Sequence, residues 1–411
     1  MRKSLLAVRV AAVLAPMALL SMGVAHGAEA DSLASAMTNG KASINLNLRY
    51  EGVEQDNALK DADALTLRTR LNYTTAEFNG FSSVIEFEDS RVVAGMDDYN
   101  DSLGHQAGYS VIADPETTEL DQGYVQYKNQ GFTAKAGRQA LMFDGQRFVG
   151  DVGWRQDRQT FDGMMLGYQF TDAFKVDYMY VTQRNRIFAE DKDLDAKDHL
   201  LNASLKTDLG VLSAYSYLLE VDDNSNNALD TYGVRFDGAK QLKDAKLLYA
   251  LEYATQDSES GVSDFSSNYY ALEVGAAFSG ITTKLGYEVL GSDDGLYGFA
   301  TPLATLHKFN GWADMFLSTP KEGLVDMYAL VSVPVAGGAF TLMYHRFETE
   351  SEADAASATV DDLGSEIDVV YTLPVAKNYT VGVKYAAYSA GDAAAGKVDT
   401  DKVWLWGTAA F

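Results

Sequence analysis

The sequence lacks cysteine altogether, has only six prolines and five histidines in 411 residues, and carries 33 lysines and arginines against 58 aspartates and glutamates. Without cysteine there can be no disulfide framework and no cysteine-ligated zinc or iron–sulfur site. A formal net charge of −25 argues against a basic nucleic-acid-binding face, so no nucleic-acid partner is expected. The histidines have no metal-ligand spacing, and neither a nucleophile elbow nor a glycine-rich phosphate loop occurs. We therefore predict no metal, no cofactor and no enzymatic activity.

Residues 1–30 have the layout of a secretory signal peptide. Basic residues before position 10 precede an apolar run from Val10 to Leu20, and small residues follow up to Ala30. The run is shorter than the roughly 20 residues that a transmembrane helix needs. We predict a signal peptide over 1–30 and one exported domain over 31–411.

Beyond residue 40, apolar and polar residues alternate with a period of two. In segment 65–73, one face carries Leu65, Leu67 and Leu71, and the opposite face carries Arg68 and Arg70. Such alternation predicts half-buried β-strands. No amphipathic helical pattern competes with it, so the chain is expected to be all-β.

Short connections alternate with long polar segments along the whole chain. Short connections include 79–80, 129–131 and 279–280. The long segments are 53–63, 93–117, 140–158, 186–197, 222–229, 257–267, 291–322, 350–363 and 390–401. An up-and-down outer-membrane barrel has short periplasmic turns and longer extracellular loops. We therefore predict a transmembrane antiparallel β-barrel of about 18 strands in a Gram-negative outer membrane, rather than a soluble β-sandwich.

The last strand ends at Phe411, after Trp404 and Trp406 at alternate positions. This ending resembles the C-terminal insertion signal of bacterial outer-membrane proteins. The expected partners are therefore outer-membrane lipid, lipopolysaccharide and the barrel-assembly machinery, the last through Phe411.

If the apolar face of the strands meets lipid, the polar face lines the lumen. The arginines in phase with that face are Arg49, Arg68, Arg70 and Arg235. Rings of arginine or lysine favour the passage of anions. The alternative is that these side chains form ion pairs across the strands and stiffen the wall, since the same face carries about as many acids as bases.

Two stretches carry a family resemblance. Residues 136–156, AGRQALMFDGQRFVGDVGWRQ, with QTFDG at 159–163, and residues 301–317, TPLATLHKFNGWADMFL, resemble the alginate-export porin family. The resemblance implies an 18-stranded outer-membrane barrel whose lumen arginines conduct a polyuronate. It also implies lumen or constriction roles for Arg138, Arg147 and Arg155. Arg138 is in phase with the apolar face, so it would point inward only if Gly137 makes a bulge.

These observations predict a monomeric or trimeric porin that passively conducts hydrophilic solutes. An anionic saccharide or a small carboxylate is the expected solute, with alginate-like polyuronate as the named candidate. Two alternatives stay open: a general small-solute porin without anion preference, and an adhesion or structural barrel with a plugged lumen.

Overall fold

The computed structural model describes residues 30–355 and 358–411. The predicted signal peptide lies outside this range, except for Ala30. A short helix, α1 (Leu33–Thr38), follows Ser32, whose hydroxyl accepts a hydrogen bond from the Ser35 backbone at 3.1 Å and so caps the first turn. In the part of the chain described, no helix combines the length and the apolar character needed to cross a membrane.

Twenty strands follow α1 in the described residues. They are β1 (Lys41–Gln55), β2 (Ala62–Thr74), β3 (Phe81–Asp98), β4 (Thr117–Asn129), β5 (Phe132–Gln139), β6 (Thr160–Gln169), β7 (Phe174–Asn185), β8 (Leu194–Thr207), β9 (Gly210–Leu219), β10 (Asn227–Gln241), β11 (Lys246–Ser260), β12 (Ser263–Phe278), β13 (Ile281–Leu290), β14 (Ser292–Asp293), β15 (Tyr297–Gly298), β16 (Leu324–Val335), β17 (Gly338–Ala355), β18 (Ala358–Ala376), β19 (Tyr379–Ser389) and β20 (Thr400–Ala410).

Eighteen of these strands close into one antiparallel barrel. Each pairs with its neighbour in sequence, and β1 closes the sheet by pairing with both β2 and β20. Arg49 of β1 thus lies opposite Thr66 on one side and Trp406 on the other. The remaining strands, β14 and β15, form a separate ribbon in the connection between β13 and β16. The predicted 18-stranded barrel is confirmed.

The two faces of the wall separate as the period of two requires. On β1, the side chain of Leu48 is 44% exposed, whereas that of the next residue, Arg49, is 1% exposed. Leu71 on β2 and Leu405 on β20 are likewise exposed, which is how an outward apolar band appears in a chain without lipid around it. The polar residues that alternate with them along each strand, such as Arg49, face the lumen.

Two predicted outer loops are strand instead. β11 runs to Ser260 and β12 begins at Ser263, so most of segment 257–267 is paired. Likewise β17 and β18 extend through most of segment 350–363. Polar composition predicted loops here, but a hairpin that projects into water pairs its backbone just as well with polar side chains on both faces.

Candidate functional site

Two outer connections fold back into the barrel. Loop 140–159 joins β5 to β6, and loop 291–323, which includes the β14–β15 ribbon, joins β13 to β16. Inside the lumen the N–H of Gly150 donates to the carbonyl of Leu303 at 2.8 Å, and the N–H of Thr305 donates to the carbonyl of Gln146 at 3.1 Å. We call these two loops together the plug.

Apolar side chains of the plug pack against aromatic side chains of the wall. The ring of Phe148 lies 5.2 Å from those of both Tyr215 and Tyr269, and Phe316 lies 4.5 Å from Phe347, measured between ring centres. Burying each such ring contributes on the order of 1.5–3 kcal/mol. The plug thereby gives this barrel a hydrophobic core inside its wall.

A cavity of about 2380 Å³ lies beneath the plug on the periplasmic side. Its lining extends from the turns at 76–77 and 336–338 up to Trp154 and His307 of the plug. Lining cations that form ion pairs are Arg70 with Glu88, Arg147 with Glu288 at 2.7 Å, Arg158 with Asp121 at 2.7 Å, Arg235 with Glu252, and Lys284 with Glu273 at 2.8 Å. Arg70, Arg235 and Lys284 thus pair across neighbouring strands, whereas Arg147 and Arg158 pair from loop 140–159 to the wall.

Arg68, Lys135, Lys308 and Lys384 also line the cavity, and none of them has an ion pair with a described side chain. Arg68 donates to the side-chain oxygen of Asn45 at 2.9 Å, and its Nε has no acceptor among the described residues. The ammonium of Lys308 donates to the carbonyl of Gly145 at 2.7 Å. Lys135 lies over the ring of Tyr124, and Lys384 lies among tryptophans. No described carboxylate therefore lies at ion-pair distance from any of these four side chains.

A buried ion-pair network joins the plug to the wall above the cavity. Arg155 of loop 140–159 contacts Glu51 of β1 at 3.0 Å and Asp314 of loop 291–323 at 2.9 Å. Asp314 also accepts from Lys402 of β20 at 3.1 Å. Arg49 pairs with Asp114, which brings in a third loop, 99–116. Because every one of these charges is buried, removing one partner leaves the others uncompensated.

The seven arginines singled out from the sequence fall into three groups. Arg68, Arg70, Arg147 and Arg235 line the cavity. Arg49 and Arg155 are buried in the network above it. Arg138 lies on the opposite face of the wall.

The expectation that Arg138 points inward is wrong. β4 and β5 pair without a register shift, with Tyr124 opposite Gly137 and Gly123 opposite Arg138, so Gly137 makes no bulge. Lys135, three residues earlier on β5, faces the cavity, which places Arg138 outside. There it forms a two-point ion pair with Asp162, at 2.8 and 3.1 Å.

Burial changes the ionisation of two plug residues. Burial, together with the nearby charges of Arg235 and Lys284, lowers the pKa of Lys308 to about 8. It also lowers the pKa of His307 to about 3, against the opposing effect of Asp314. His307 is therefore neutral at physiological pH, whereas Lys308 is partly charged near pH 8.

Three carboxylates, those of Glu88, Glu119 and Asp157, lie within 4.8 Å of one another. Burial, followed by the charge of Glu119, raises the pKa of Asp157 well above its usual value. Glu88 is neutralised by Arg70. Arg70 thus offsets one of the three carboxylates, and nothing else in the described residues marks the cluster as a metal site.

Sequence reasoning missed several residues of the site. Arg158 lies between the two halves of the first family-like stretch and pairs with Asp121 and Glu86. His307, Lys308 and Asp314 lie within the second stretch. The sequence feature that could have indicated these residues is the clustering of charged and aromatic residues in a predicted outer loop. An outer loop, however, reaches the lumen only if it folds inward.

A family model described as alginate export matches residues 41–289 of the chain. The chain belongs to the alginate export family. Together with the closed barrel, this makes it an outer-membrane porin. Proteins of this family and fold are typically non-enzymatic. No curated protein sequence matches the porin.

Solved structures share the fold of the porin. OccK9 (OpdG) of Pseudomonas aeruginosa is 13% identical with a TM-score of 0.70, over 92% of this chain and 99% of that one. OccAB4 of Acinetobacter baumannii is 13% identical with a TM-score of 0.71, over 91% and 98%. The outer membrane protein OpdK of P. aeruginosa is 13% identical with a TM-score of 0.67, over 90% and 99%.

Proposed function

We propose that the porin passively conducts small hydrophilic anions, carboxylates above all, along the cations of the cavity. The observation that carries the proposal is that four cations of the lining, Arg68, Lys135, Lys308 and Lys384, have no ion pair with a described side chain. A paired cation presents little net field to a solute, whereas an unpaired cation attracts anions and repels cations.

Buried donors support the same proposal. The Nε of Arg68 and one terminal nitrogen, Nη2, of Arg70 have no acceptor among the described residues. Both arginines line the cavity on β2, two residues apart. A carboxylate can accept two N–H bonds from a guanidinium at once, so it satisfies donors that a neutral solute leaves bare.

In this proposal Arg147 and Arg235, which pair with Glu288 and Glu252, shape the lining of the cavity, while Arg49 and Arg155 belong to the constriction at the plug. Arg49 and Arg155 are already bound to carboxylates, so they shape the opening rather than carry the solute. Arg138 takes no part, because it faces outward.

Ion selectivity in a planar lipid bilayer tests the proposal. Under a salt gradient, the reversal potential of the wild-type pore is expected to show anion preference, and Arg68→Gln with Lys308→Gln is expected to reduce it. Lys197→Gln is the matched control, since Lys197 is exposed and paired with Asp222. Cation preference, or equal values in both variants, would contradict the anion path. An absence of conductance would favour a structural barrel.

Membership of the alginate export family favours a second candidate solute, an alginate-like polyuronate. Such a polymer carries one carboxylate per sugar and needs several spaced cations, which the cavity offers. If it enters, uronate oligomers added on the periplasmic side should interrupt the current in a length-dependent way. Oligomers without effect would limit the pore to small solutes.

We also propose that the barrel-assembly machinery recognises the last strand through Phe411. The Phe411 side chain is exposed, and its backbone exchanges two hydrogen bonds of 3.0 Å with Ile44 where β1 meets β20. Deleting Phe411 should lower the yield of heat-modifiable barrel in cells, and an unchanged yield would contradict this role.

A further inference from the structure

All four tryptophans of the chain lie in one cluster. Trp154 and Trp312 come from the two loops of the plug, and Trp404 and Trp406 come from β20. The ring centre of Trp154 lies 5.9 Å from that of Trp404 and 5.6 Å from that of Trp406. The plug and the wall therefore meet here through aromatic rings.

The ammonium of Lys384 lies inside this cluster. Its Nζ is 3.5 Å from the ring centre of Trp154, 4.4 Å from that of Trp312 and 5.3 Å from that of Trp404. Lys384 also lines the cavity, so the cluster is reached from there. Aromatic faces stabilise the charge but do not neutralise it.

One described atom accepts a hydrogen bond from Lys384, the Nε2 of His307 at 2.9 Å. The other ring nitrogen of His307, Nδ1, lies 2.7 Å from a carboxylate oxygen of Asp314. Because that carboxylate accepts, Nδ1 carries the proton and Nε2 is free to accept from the ammonium. Two of the three N–H bonds of Lys384 remain without an acceptor among the described residues.

Two indole N–H donors also lack an acceptor. The Nε1 atoms of Trp154 and Trp404 are buried and have no acceptor among the residues that the structure describes. A buried indole N–H usually finds a partner, and leaving one unsatisfied costs about 1–3 kcal/mol. The cluster thus combines an ammonium that has no ion pair with a described side chain and two unsatisfied donors. The carboxylates beside it already have other partners: Asp314 bonds to His307 and Lys402, and Asp368 accepts from the backbone N–H of Trp312 at 3.3 Å.

We propose that this cluster is a binding site for one small anion, held by Lys384 and the indole N–H groups of Trp154 and Trp404. The anion is a halide or the carboxylate group of a solute, since both are compact acceptors with a single charge. Trp154 belongs to the plug, whereas Lys384 and Trp404 belong to the wall. The bound anion therefore also fastens the plug to the barrel.

Binding at this site does not require that the pore conducts or prefers anions. It is measured on the protein in detergent, where conduction has no influence. A failure of the selectivity experiment above would thus leave this proposal standing, and the reverse also holds.

Intrinsic fluorescence tests the site directly, because every tryptophan of the chain lies within it. Iodide, titrated at constant ionic strength with sodium sulfate as the balancing salt, should quench wild-type fluorescence in a saturable way. Chloride should compete with iodide. Competition by acetate as well would assign the site to carboxylates in addition to halides, whereas competition by chloride alone would assign it to halides.

Lys384→Met should abolish the saturable component. Lys197→Met, which changes an exposed lysine of β8, should retain it. Linear quenching that is equal in wild type and Lys384→Met would overturn the proposal. If Lys384→Met fails to fold, Trp154→Phe serves instead, since it keeps an aromatic ring and removes one donor. Its apparent Kd for iodide should rise about tenfold, and an unchanged Kd would overturn the proposal as well.

Discussion

At the scale of single residues, the effect of a charge depends on what lies opposite it. Arg68 and Arg70 stand two residues apart on the same face of β2, yet Arg70 pairs with Glu88 whereas Arg68 has no ion pair among the described side chains. The alternation of apolar and polar residues along β2 predicted that both side chains face the lumen. Which one keeps its charge available was decided by the neighbouring strand and by the plug.

Lys308 should make anion selectivity depend on pH. Burial lowers its pKa to about 8, so the side chain is charged below that pH and neutral above it. Anion preference, measured as a bilayer reversal potential from pH 6 to 9.5, should therefore fall as the pH rises through about 8. Lys308→Arg, whose guanidinium stays charged, should keep its preference over this range. A wild-type profile as flat as that of Lys308→Arg would contradict this role of Lys308.

At the scale of elements, the loops determine how the lumen is filled. Loops 140–159 and 291–323 bond to each other and reach the wall through aromatic packing and the Arg155 network. The same polar composition in segment 257–267 formed a projecting hairpin instead. The difference is that the plug loops carry large apolar residues, such as Phe148 and Phe316, which find a buried surface inside the barrel.

Arg155→Met should destabilise the plug strongly. It leaves Glu51 and Asp314 buried without their guanidinium partner, for an expected loss of about 3–5 kcal/mol. Equilibrium unfolding in urea, together with proteolysis of loop 140–159, would measure the effect. Arg91→Met is the control, because Arg91 forms an exposed pair with Asp89 that is worth about 0–1 kcal/mol. A similar, small loss in both variants would contradict the structural role of Arg155.

At the scale of the whole molecule, the barrel and the plug have opposing effects on the open width of the lumen. A barrel of 18 strands is wide enough to enclose an aqueous channel. Here the plug fills part of that width and leaves the cavity of about 2380 Å³ on the periplasmic side. We therefore expect the plug, rather than the number of strands, to limit the conductance of the porin.

Replacing residues 142–157 with a short glycine–serine linker should raise single-channel conductance several-fold, because it removes half of the plug and opens the lumen. The same variant should be less stable, since it also removes Phe148 and Trp154 from the interior. Replacing loop 220–226, which lies outside the plug, provides the control. Equal conductance in the two variants would show that loop 140–159 does not limit the pore.

The sequence by itself determined the barrel, its strand number and the side of the wall on which Arg49, Arg68, Arg70 and Arg235 lie. These follow from a period of two, which is a local property of each strand. Only the tertiary structure decided that two outer loops turn inward, that Arg155 binds Glu51 and Asp314, and that three tryptophans surround the ammonium of Lys384. Many of these contacts join distant parts of the chain, as from Arg155 to Asp314, which are 159 positions apart. No local pattern records which distant partner a side chain meets.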